Sequence, residues 1–408
     1  MRADQAQFPV RTRKISPQDL PALHPDIKNT MKRLLTAVSL LACSLPLAAA
    51  IPAPPTIEAA SWALLDHASG EVLASSNPDL KVGPASITKV MTAYVVLDEI
   101  KKGRMKLEDT AFVSEKAWRQ GIDSSESRMF VQVGTRVPLE ALLHGVITQS
   151  GNDASVVLAE HVAGSEEAFA ELMNQTAAKI GMKNTHFTNA PGMPDPEHYS
   201  TAHDLTLLGR ALIQNFPDIY PWFALPDYTY NGITQPNRNL LLKKDPSVDG
   251  IKTGHTSEAG YCLLASANRN GRRLISAVMG TKSWAYREQA SLELLNWGFR
   301  FFETAELLGP AKPAGTVKVF KGAAAEVPVG TLQPIAITLA RGEAERVQAS
   351  WQAEGPAVAP FAAGQKLGTV TLSLDGKVLR SEPLVALRDV GKGGFWRRLI
   401  DTIRLWFA

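Results

Sequence analysis

The sequence predicts an α/β (α+β) domain, then a smaller all-β domain and a C-terminal amphipathic helix. Residues 59–308 alternate between segments of helical periodicity and short apolar runs that are typical of strands. Residues 316–389 contain only short alternating runs, which are typical of β-strands. In residues 394–408, apolar and basic side chains recur at helical spacing.

The N-terminal segment has the pattern of a secretory signal. Met31 opens a short basic stretch, which is followed by an apolar run and three alanines that end at Ala50. We therefore predict a signal peptide over residues 31–50, with Met31 as the true start and residues 1–30 as a wrongly assigned extension. As an alternative, Cys43 within the apolar run resembles a lipidation site.

The larger domain begins and ends with a predicted hairpin. Ser69-Gly70 predicts the first turn, and Asn270-Gly271 predicts the second. The predicted strands beside these turns cover residues 61–65, 71–74, 261–267 and 273–279. Between the hairpins, apolar positions three and four residues apart predict helices. These helices cover residues 86–100, 139–147, 153–162 and 166–180.

A serine and a lysine lie three residues apart at the start of the first predicted helix. Such positions share one helix face, with Cβ atoms about 5–6 Å apart. The Lys89 amine can therefore take a proton from the Ser86 hydroxyl and make it a nucleophile. A Ser-x-x-Lys pattern alone occurs by chance roughly once or twice in a chain of this length, and is then usually a solvent-facing pair.

Two further motifs follow in the chain. Ser150-Gly151-Asn152 separates two predicted helices, and Lys252-Thr253-Gly254 precedes the second hairpin. Taken alone, Ser-Gly-Asn is an ordinary turn sequence. Together with Ser86 and Lys89, the motifs supply hydroxyl, amide and ammonium groups in an order that favours a common catalytic site.

The stretches 84–89, 150–153 and 249–256 resemble the D-alanyl-D-alanine carboxypeptidases, which are serine-type, low-molecular-mass penicillin-binding proteins. The resemblance covers nearly the whole mature chain. It implies a serine DD-peptidase/β-lactamase-like fold and an enzyme that removes the terminal D-alanine from peptidoglycan pentapeptide stems. It also implies covalent inhibition by β-lactam antibiotics, and we expect neither a cofactor nor a metal.

The resemblance assigns the catalytic roles residue by residue. Ser86 would attack the substrate carbonyl and form an acyl-enzyme, and Lys89 would act as the base. Partial burial and the nearby Lys252 would lower the pKa of Lys89. Ser150 would relay a proton to the leaving amine. The backbone N–H groups of Ser86 and His255 would form the oxyanion hole.

The same resemblance assigns the substrate-binding roles. Asn152 would hydrogen-bond the peptide, and Lys252 and Thr253 would bind the terminal carboxylate. Gly254 would let the substrate lie close to the strand backbone. Many relatives have arginine where this chain has His203, which we interpret as a structural histidine or a pH-dependent carboxylate contact, favouring the structural role.

The C-terminal segment predicts a helix that lies in a membrane interface. It is too short to span a bilayer, but its large apolar side chains fall on one helical face and its charged ones largely opposite. The apolar set is Trp396, Leu399, Ile400, Ile403, Trp406 and Phe407, and the charged set is Arg397, Arg398, Asp401 and Arg404. We expect a peripheral protein on the periplasmic face of the bacterial inner membrane. The alternative is a packed terminal helix.

Composition and motifs limit the competing functions. The net charge is only +3 and no basic stripe occurs, so nucleic acid is not an expected partner. A β-lactamase would need a glutamate that activates the deacylating water, and no such motif follows Asn152. A penicillin-binding structural protein without activity is a second alternative. The sequence leaves DD-endopeptidase activity open.

Overall fold

The computed structural model describes residues 51–122, 126–309 and 312–407. The predicted extension, the signal peptide and Cys43 lie outside these ranges. Within them, no helix combines the length and apolar character that crossing a bilayer requires.

An antiparallel sheet of five strands forms the centre of the larger domain, in the order β2-β1-β9-β8-β7. β1 and β2 form the first predicted hairpin, and β8 and β9 form the second. Two small two-stranded ladders, β3-β4 and β5-β6, lie outside the main sheet. The strands are β1 (Ser61–Asp66), β2 (Val72–Ser76), β3 (Thr110–Phe112), β4 (Arg136–Pro138), β5 (Asp227–Tyr230), β6 (Ile233–Pro236), β7 (Val248–Thr256), β8 (Gly260–Arg269) and β9 (Arg272–Thr281).

Eight α-helices lie beside the sheet in the described part of this domain. They are α1 (Thr88–Lys101), α2 (Glu115–Arg119), α3 (Leu139–His144), α4 (Asn152–Ala163), α5 (Glu166–Ile180), α6 (Ala202–Asn215), α7 (Leu241–Lys244) and α8 (Trp284–Phe301). Short 3₁₀ helices cover Ala85–Ile87 and Tyr220–Ala224. The predicted helix over 139–147 is α3 followed by a π-helical turn, Gly145–Gln149.

The sheet is buried on both faces because successive side chains of a strand point in opposite directions. In β1, Trp62 and Leu64 pack with the apolar side of α8. Ala63 and Leu65 belong to the other core, which includes α1, α4 and α6. The domain is therefore layered as helix, sheet and helices, and the predicted α/β class is confirmed.

The second domain is built from β-strands, as predicted. Its main sheet has six strands in the order β14-β16-β17-β12-β11-β15, and β10 pairs separately with β13. The strands are β10 (Phe302–Leu308), β11 (Gly315–Phe320), β12 (Glu326–Gly330), β13 (Ile335–Ala340), β14 (Val347–Ala353), β15 (Ala357–Val358), β16 (Lys366–Leu374) and β17 (Lys377–Ala386), with a 3₁₀ turn at Ala344–Arg346. The exact domain limits remain predictions, although β10 packs with the β-rich core through Leu308.

The C-terminal helix, α9 (Phe395–Arg404), packs on the all-β domain through its polar face. Asp401 is 4% exposed and accepts a hydrogen bond of 2.7 Å from the backbone N–H of Lys321. Arg397 donates to the carbonyl of Ala324 at 2.9 Å. The apolar side chains point outward instead: Phe395, Trp396, Leu399, Ile400, Ile403, Trp406 and Phe407 are all exposed.

Two of the three arginines of α9 lie beside Asp401, whereas Arg398 is exposed. Arg404 lies 3.4 Å and Arg397 3.9 Å from Asp401, measured between nitrogen and carboxylate oxygen. The helix packs on the domain through its polar face, whereas a packed terminal helix normally buries its apolar face.

A buried ion pair lies where the two domains meet. Asp66 is fully buried at the end of β1, and its Oδ2 lies 3.0 Å from Nε of Arg272. Arg272 also donates to the carbonyl of Phe302 at 2.7 Å, and Asp66 accepts from Thr304 in β10. The same network therefore fixes β1, β9 and the first strand of the all-β domain.

We predict that Arg272→Ala lowers the free energy of unfolding by about 3 kcal/mol, because Asp66 then keeps its buried charge without its cationic partner. Denaturant unfolding followed by circular dichroism measures this change. Arg300→Ala removes an exposed arginine at the end of α8 and is the control. Equal stability of the two variants would mean that the ion pair does not hold the domains together.

Candidate active site

Ser86 lies in the 3₁₀ turn that leads directly into α1. The preceding residue, Ala85, has φ of +47°, a left-handed conformation that costs energy for a residue other than glycine. This strained turn is closely packed on two sides. A Cβ on Gly254 would lie 2.7 Å from the carbonyl oxygen of Pro84, and a Cβ on Gly192 would clash with the carbonyl of Ala85.

Lys89 lies one turn after Ser86 and is 1% exposed. Its amine donates three hydrogen bonds, to Ser86 Oγ at 3.0 Å, to Asn152 Oδ1 at 2.7 Å and to the Pro191 carbonyl at 2.7 Å. Burial is the main cause that lowers the pKa of Lys89 to about 7, and the positive charge of Arg238 adds to it. Lys89 is therefore poised to exchange a proton near neutral pH.

Ser150 follows the π-helical turn and takes a left-handed backbone conformation, with φ of +62°. The side chain is buried and lines the same cavity as Ser86. A second strained residue thus lies at the site.

Asn152 is the first residue of α4 and joins two parts of the site. Its Oδ1 accepts from Lys89, and its Nδ2 donates to Glu126 Oε2 at 2.8 Å and lies 3.4 Å from the sulfur of Met193. The backbone N–H of Asn152 donates to the Ser127 carbonyl at 2.8 Å. Glu126 is a functional candidate that the sequence analysis missed.

Asp153 holds the segment that follows Glu126. This fully buried carboxylate accepts hydrogen bonds from three successive backbone N–H groups, those of Met129, Phe130 and Val131, at 2.8, 2.9 and 3.2 Å. The segment therefore has a fixed position beside α4.

The third motif lies on β7, an edge strand of the five-stranded sheet. Lys252 and Thr253 are buried, and His255 is exposed and contacts Tyr261 with ring centroids 4.0 Å apart and the rings tilted by 33°. Burial first, and then the charge of Lys89 and two arginines, hold the pKa of Lys252 well below its ordinary value.

Gly254 has a structural role in addition to the expected one. Gly254 is predicted to let the substrate lie close to the strand, and in the structure it also admits the turn that carries Ser86. A side chain at residue 254 would meet Pro84 and also Ala85 and Ile87, both within 3.3 Å of the added Cβ. Strand β7 and the nucleophile are thereby held at a fixed separation.

These residues surround a cavity of about 560 Å³. All the predicted site residues line it or contact its lining, and two further cations, Arg238 and Arg287, line it as well. Arg287 donates to the Gly254 carbonyl at 3.2 Å. Neither arginine belongs to a motif, so the sequence alone offered no signal for them beyond their charge.

His203 is not among the residues that line this cavity. It is partly exposed on α6, and its Nδ1 lies 3.8 Å from a carboxylate oxygen of Asp79. Its position supports the structural interpretation. Among the described residues, no group of three or more His, Cys, Asp or Glu side chains is placed to hold a metal.

A serine hydroxyl beside a buried lysine, in a cleft at the edge of an antiparallel sheet, defines a serine enzyme that works by acyl transfer. The family model for D-alanyl-D-alanine carboxypeptidase matches residues 48–283, and this chain belongs to that family. The model for the C-terminal domain of penicillin-binding protein 5 matches residues 302–392.

Individual relatives agree with this assignment. D-alanyl-D-alanine carboxypeptidase DacA of Escherichia coli K12 is 42% identical over 361 residues, which are 88% of this chain and 90% of the relative. DacF of Bacillus subtilis is 35% identical over 86% of this chain and 90% of its own length. The crystal structure of penicillin-binding protein 5 from Haemophilus influenzae is 41% identical and covers 84% of this chain and 100% of its own, with a TM-score of 0.78.

The predicted family, fold class and enzyme class are thus confirmed: the chain is a serine-type D-Ala-D-Ala carboxypeptidase. The comparisons do not favour a β-lactamase, an endopeptidase or an inactive structural protein. The roles of individual site residues remain predictions.

We predict that Gly254→Ala folds but lowers kcat for D-alanine release by about 100-fold, because a displacement of roughly 1 Å in a catalytic group costs that much. The added Cβ must push the Ser86 turn away from β7. Gly83→Ala is a matched control, since its Cβ would make only an ordinary contact of 3.6 Å. If Gly254→Ala releases D-alanine at the wild-type rate, this contact does not position the nucleophile.

Proposed function

We propose that Ser86 is the nucleophile that cleaves the terminal D-Ala-D-Ala bond of peptidoglycan pentapeptide stems. The observation that carries the proposal is the 3.0 Å hydrogen bond between Ser86 Oγ and a lysine amine with a pKa of about 7. At neutral pH about half of the Lys89 amines are uncharged by this value and can accept the serine proton.

The reaction then proceeds in two steps. As Lys89 takes the proton, Ser86 Oγ forms a bond to the carbonyl carbon, and the bond from that carbon to the terminal D-alanine nitrogen breaks. Ser150, which lines the cavity, relays a proton to the departing amine. Water then hydrolyses the ester that joins Ser86 to the shortened peptide, and the enzyme is regenerated.

Positive charge at one end of the cavity supports recognition of the terminal carboxylate. Lys252, Thr253 and Arg238 supply an ammonium, a hydroxyl and a guanidinium, and an arginine can bind a carboxylate through two parallel hydrogen bonds. A substrate carboxylate also raises the pKa of Lys252 by stabilising its charged form.

The edge position of β7 supports a defined peptide orientation. An extended substrate can pair with the outer edge of this strand, as peptides do when they add a strand to a sheet. Asn152 lies across the cavity and can hydrogen-bond the peptide. The backbone N–H groups of Ser86 and His255 are the proposed oxyanion hole, in which each donor typically contributes about 3–4 kcal/mol.

We expect β-lactam antibiotics to acylate Ser86. Their strained amide supplies a reactive carbonyl, and a carboxylate lies in the same small molecule.

The proposed function is tested by the release of D-alanine from a diacetyl-Lys-D-Ala-D-Ala tripeptide, with labelling by fluorescent penicillin measured in parallel. Ser86→Ala should abolish both, and Lys89→Ala should fold but lose acylation. Rapid turnover of nitrocefin by the wild type, or labelling of Ser86→Ala, would contradict the proposal.

The outward apolar face of α9 supports peripheral membrane binding. Trp396 and Trp406 are 72% and 79% exposed, and aromatic side chains of this kind favour the lipid–water boundary. Arg397 and Arg404 lie beside Asp401, so the charges of these two arginines are partly balanced, and the exposed Arg398 adds attraction to anionic lipid. Together with the predicted signal peptide, this exposed face supports our proposal that the enzyme lies on the periplasmic face of the inner membrane.

We predict that the double variant Trp396→Ser/Trp406→Ser binds vesicles of phosphatidylethanolamine and phosphatidylglycerol at least roughly 100-fold more weakly, because burial of each large side chain contributes about 1.5–3 kcal/mol. Cosedimentation measures the binding. Trp351→Ser, on the all-β domain, is the control, and D-alanine release should be unchanged in both variants. Persistent membrane binding of the double variant in cells would point to another anchor, such as a lipid on Cys43.

A further inference from the structure

A carboxylate outside the three motifs completes the hydrogen-bond chain of the active site. Glu126 Oε2 accepts from Asn152 Nδ2 at 2.8 Å, Asn152 Oδ1 accepts from Lys89 at 2.7 Å, and Lys89 donates to Ser86 Oγ at 3.0 Å. Glu126 and Ser127 both line the catalytic cavity. The chain of contacts thus runs from the cavity wall to the nucleophile.

The two ends of an asparagine amide are chemically different, and the surrounding hydrogen bonds decide which end points where. If the Asn152 amide were rotated by half a turn, its NH₂ group would face the Lys89 amine and its oxygen would face the Glu126 carboxylate. Both contacts would be unfavourable, since each would place like groups together. An acceptor at Glu126 therefore selects the orientation that Lys89 requires.

We propose that Glu126 is a positioning residue, which fixes the Asn152 amide so that its oxygen holds the Lys89 amine against Ser86. The proposal rests on the function proposed above, in which Lys89 is the base. Glu126 acts through Asn152 and is not assigned a contact with the reacting atoms. The next residue, Ser127, accepts a hydrogen bond of 2.8 Å from the backbone N–H of Asn152, and Asp153 holds the backbone that follows.

Glu126 also balances the charge around Lys89. Positive charges come from Arg238, which lowers the pKa of Lys89, and from Lys252, whose own pKa Lys89 depresses. Negative charges come from Asp153 and Glu126, which both raise the pKa of Lys89.

His198 is a further titratable group that interacts with Lys89. Burial is the main cause that lowers its pKa to about 4, so its ring is neutral across the working range of pH. His198 therefore does not contribute to the acidic limb of the activity, which follows the protonation of Lys89.

The negative charge at residue 126 affects the pH dependence of acylation. Acylation needs the neutral Lys89 amine, so the rate rises with pH through the pKa of Lys89, about 7. Removal of the negative charge at residue 126 disfavours the ammonium form and lowers that pKa. The acidic limb of the rate profile then moves to lower pH. At pH values below the pKa of Lys89, a variant that loses this charge but keeps the hydrogen bond to Asn152 is therefore faster than the wild type.

Three variants distinguish the effect of the hydrogen bond between Glu126 and Asn152 from the effect of the negative charge of Glu126. Glu126→Gln keeps an oxygen that can accept from Asn152 but has no charge. Glu126→Asp keeps the charge but is one methylene shorter and loses the contact. Glu126→Ala loses both. For each, we measure kcat and KM for D-alanine release from diacetyl-Lys-D-Ala-D-Ala, and the rate of acylation by benzylpenicillin from pH 5 to 9.

We expect Glu126→Ala and Glu126→Asp to lower kcat by about tenfold, with KM changed by less than about twofold, because a misplaced amide affects Lys89 more than substrate binding. Glu126→Gln should keep kcat on the plateau within about twofold and move the acidic limb to lower pH. Rates are normalised to the fraction of sites that fluorescent penicillin labels, so that partial misfolding does not enter. If Glu126→Ala fails to fold, the Gln and Asp variants still decide the question.

Three results would overturn the inference. The first is wild-type kcat, KM and pH profile in Glu126→Ala. The second is a rise in KM alone, which would mean that Glu126 binds the substrate directly. The third is a Gln variant as impaired as the Ala variant, with its acidic limb unmoved. Failure of the proposed function is distinguishable, because the wild type itself would then release no D-alanine or show no limb near neutral pH.

Discussion

Three hydrogen bonds from the Lys89 amine join parts of the chain that are far apart in sequence. One partner, Ser86, belongs to the same helix start, while Asn152 begins α4 and Pro191 lies in a loop. A buried amine is tolerated only when its donors are satisfied, so the three partners must be in place together. The polar contacts that support the chemistry therefore also determine how these segments pack.

Close backbone contacts determine the position of the turn that carries Ser86. Gly254 and Gly192 admit the turn that carries Ser86 from two sides, and Ala85 takes a left-handed conformation between them. Such a conformation persists only where the surrounding structure enforces it. Strand β7 thus limits the position of the nucleophile as well as forming an edge of the cavity.

The all-β domain determines the orientation of its terminal helix. Because Asp401 is buried and bonded to the backbone of Lys321, the polar face of α9 turns inward and the aromatic face turns to the solvent. The buried pair of Asp66 and Arg272 fixes the all-β domain to the larger domain. The all-β domain therefore connects α9 to the larger domain, which carries the active site.

The sequence by itself determined the features that depend on local spacing. The contact between Ser86 and Lys89 follows from one helical turn, because the two residues are three positions apart. The Asn270-Gly271 turn likewise joins two strands that are adjacent in sequence, β8 and β9. Only the tertiary structure decided which distant groups meet: Glu126 at Asn152, Arg238 at the cavity, Gly254 against Pro84, and the inward polar face of α9. These contacts depend on the paths of loops and on the packing of whole elements, and no short-range periodicity in the chain encodes them.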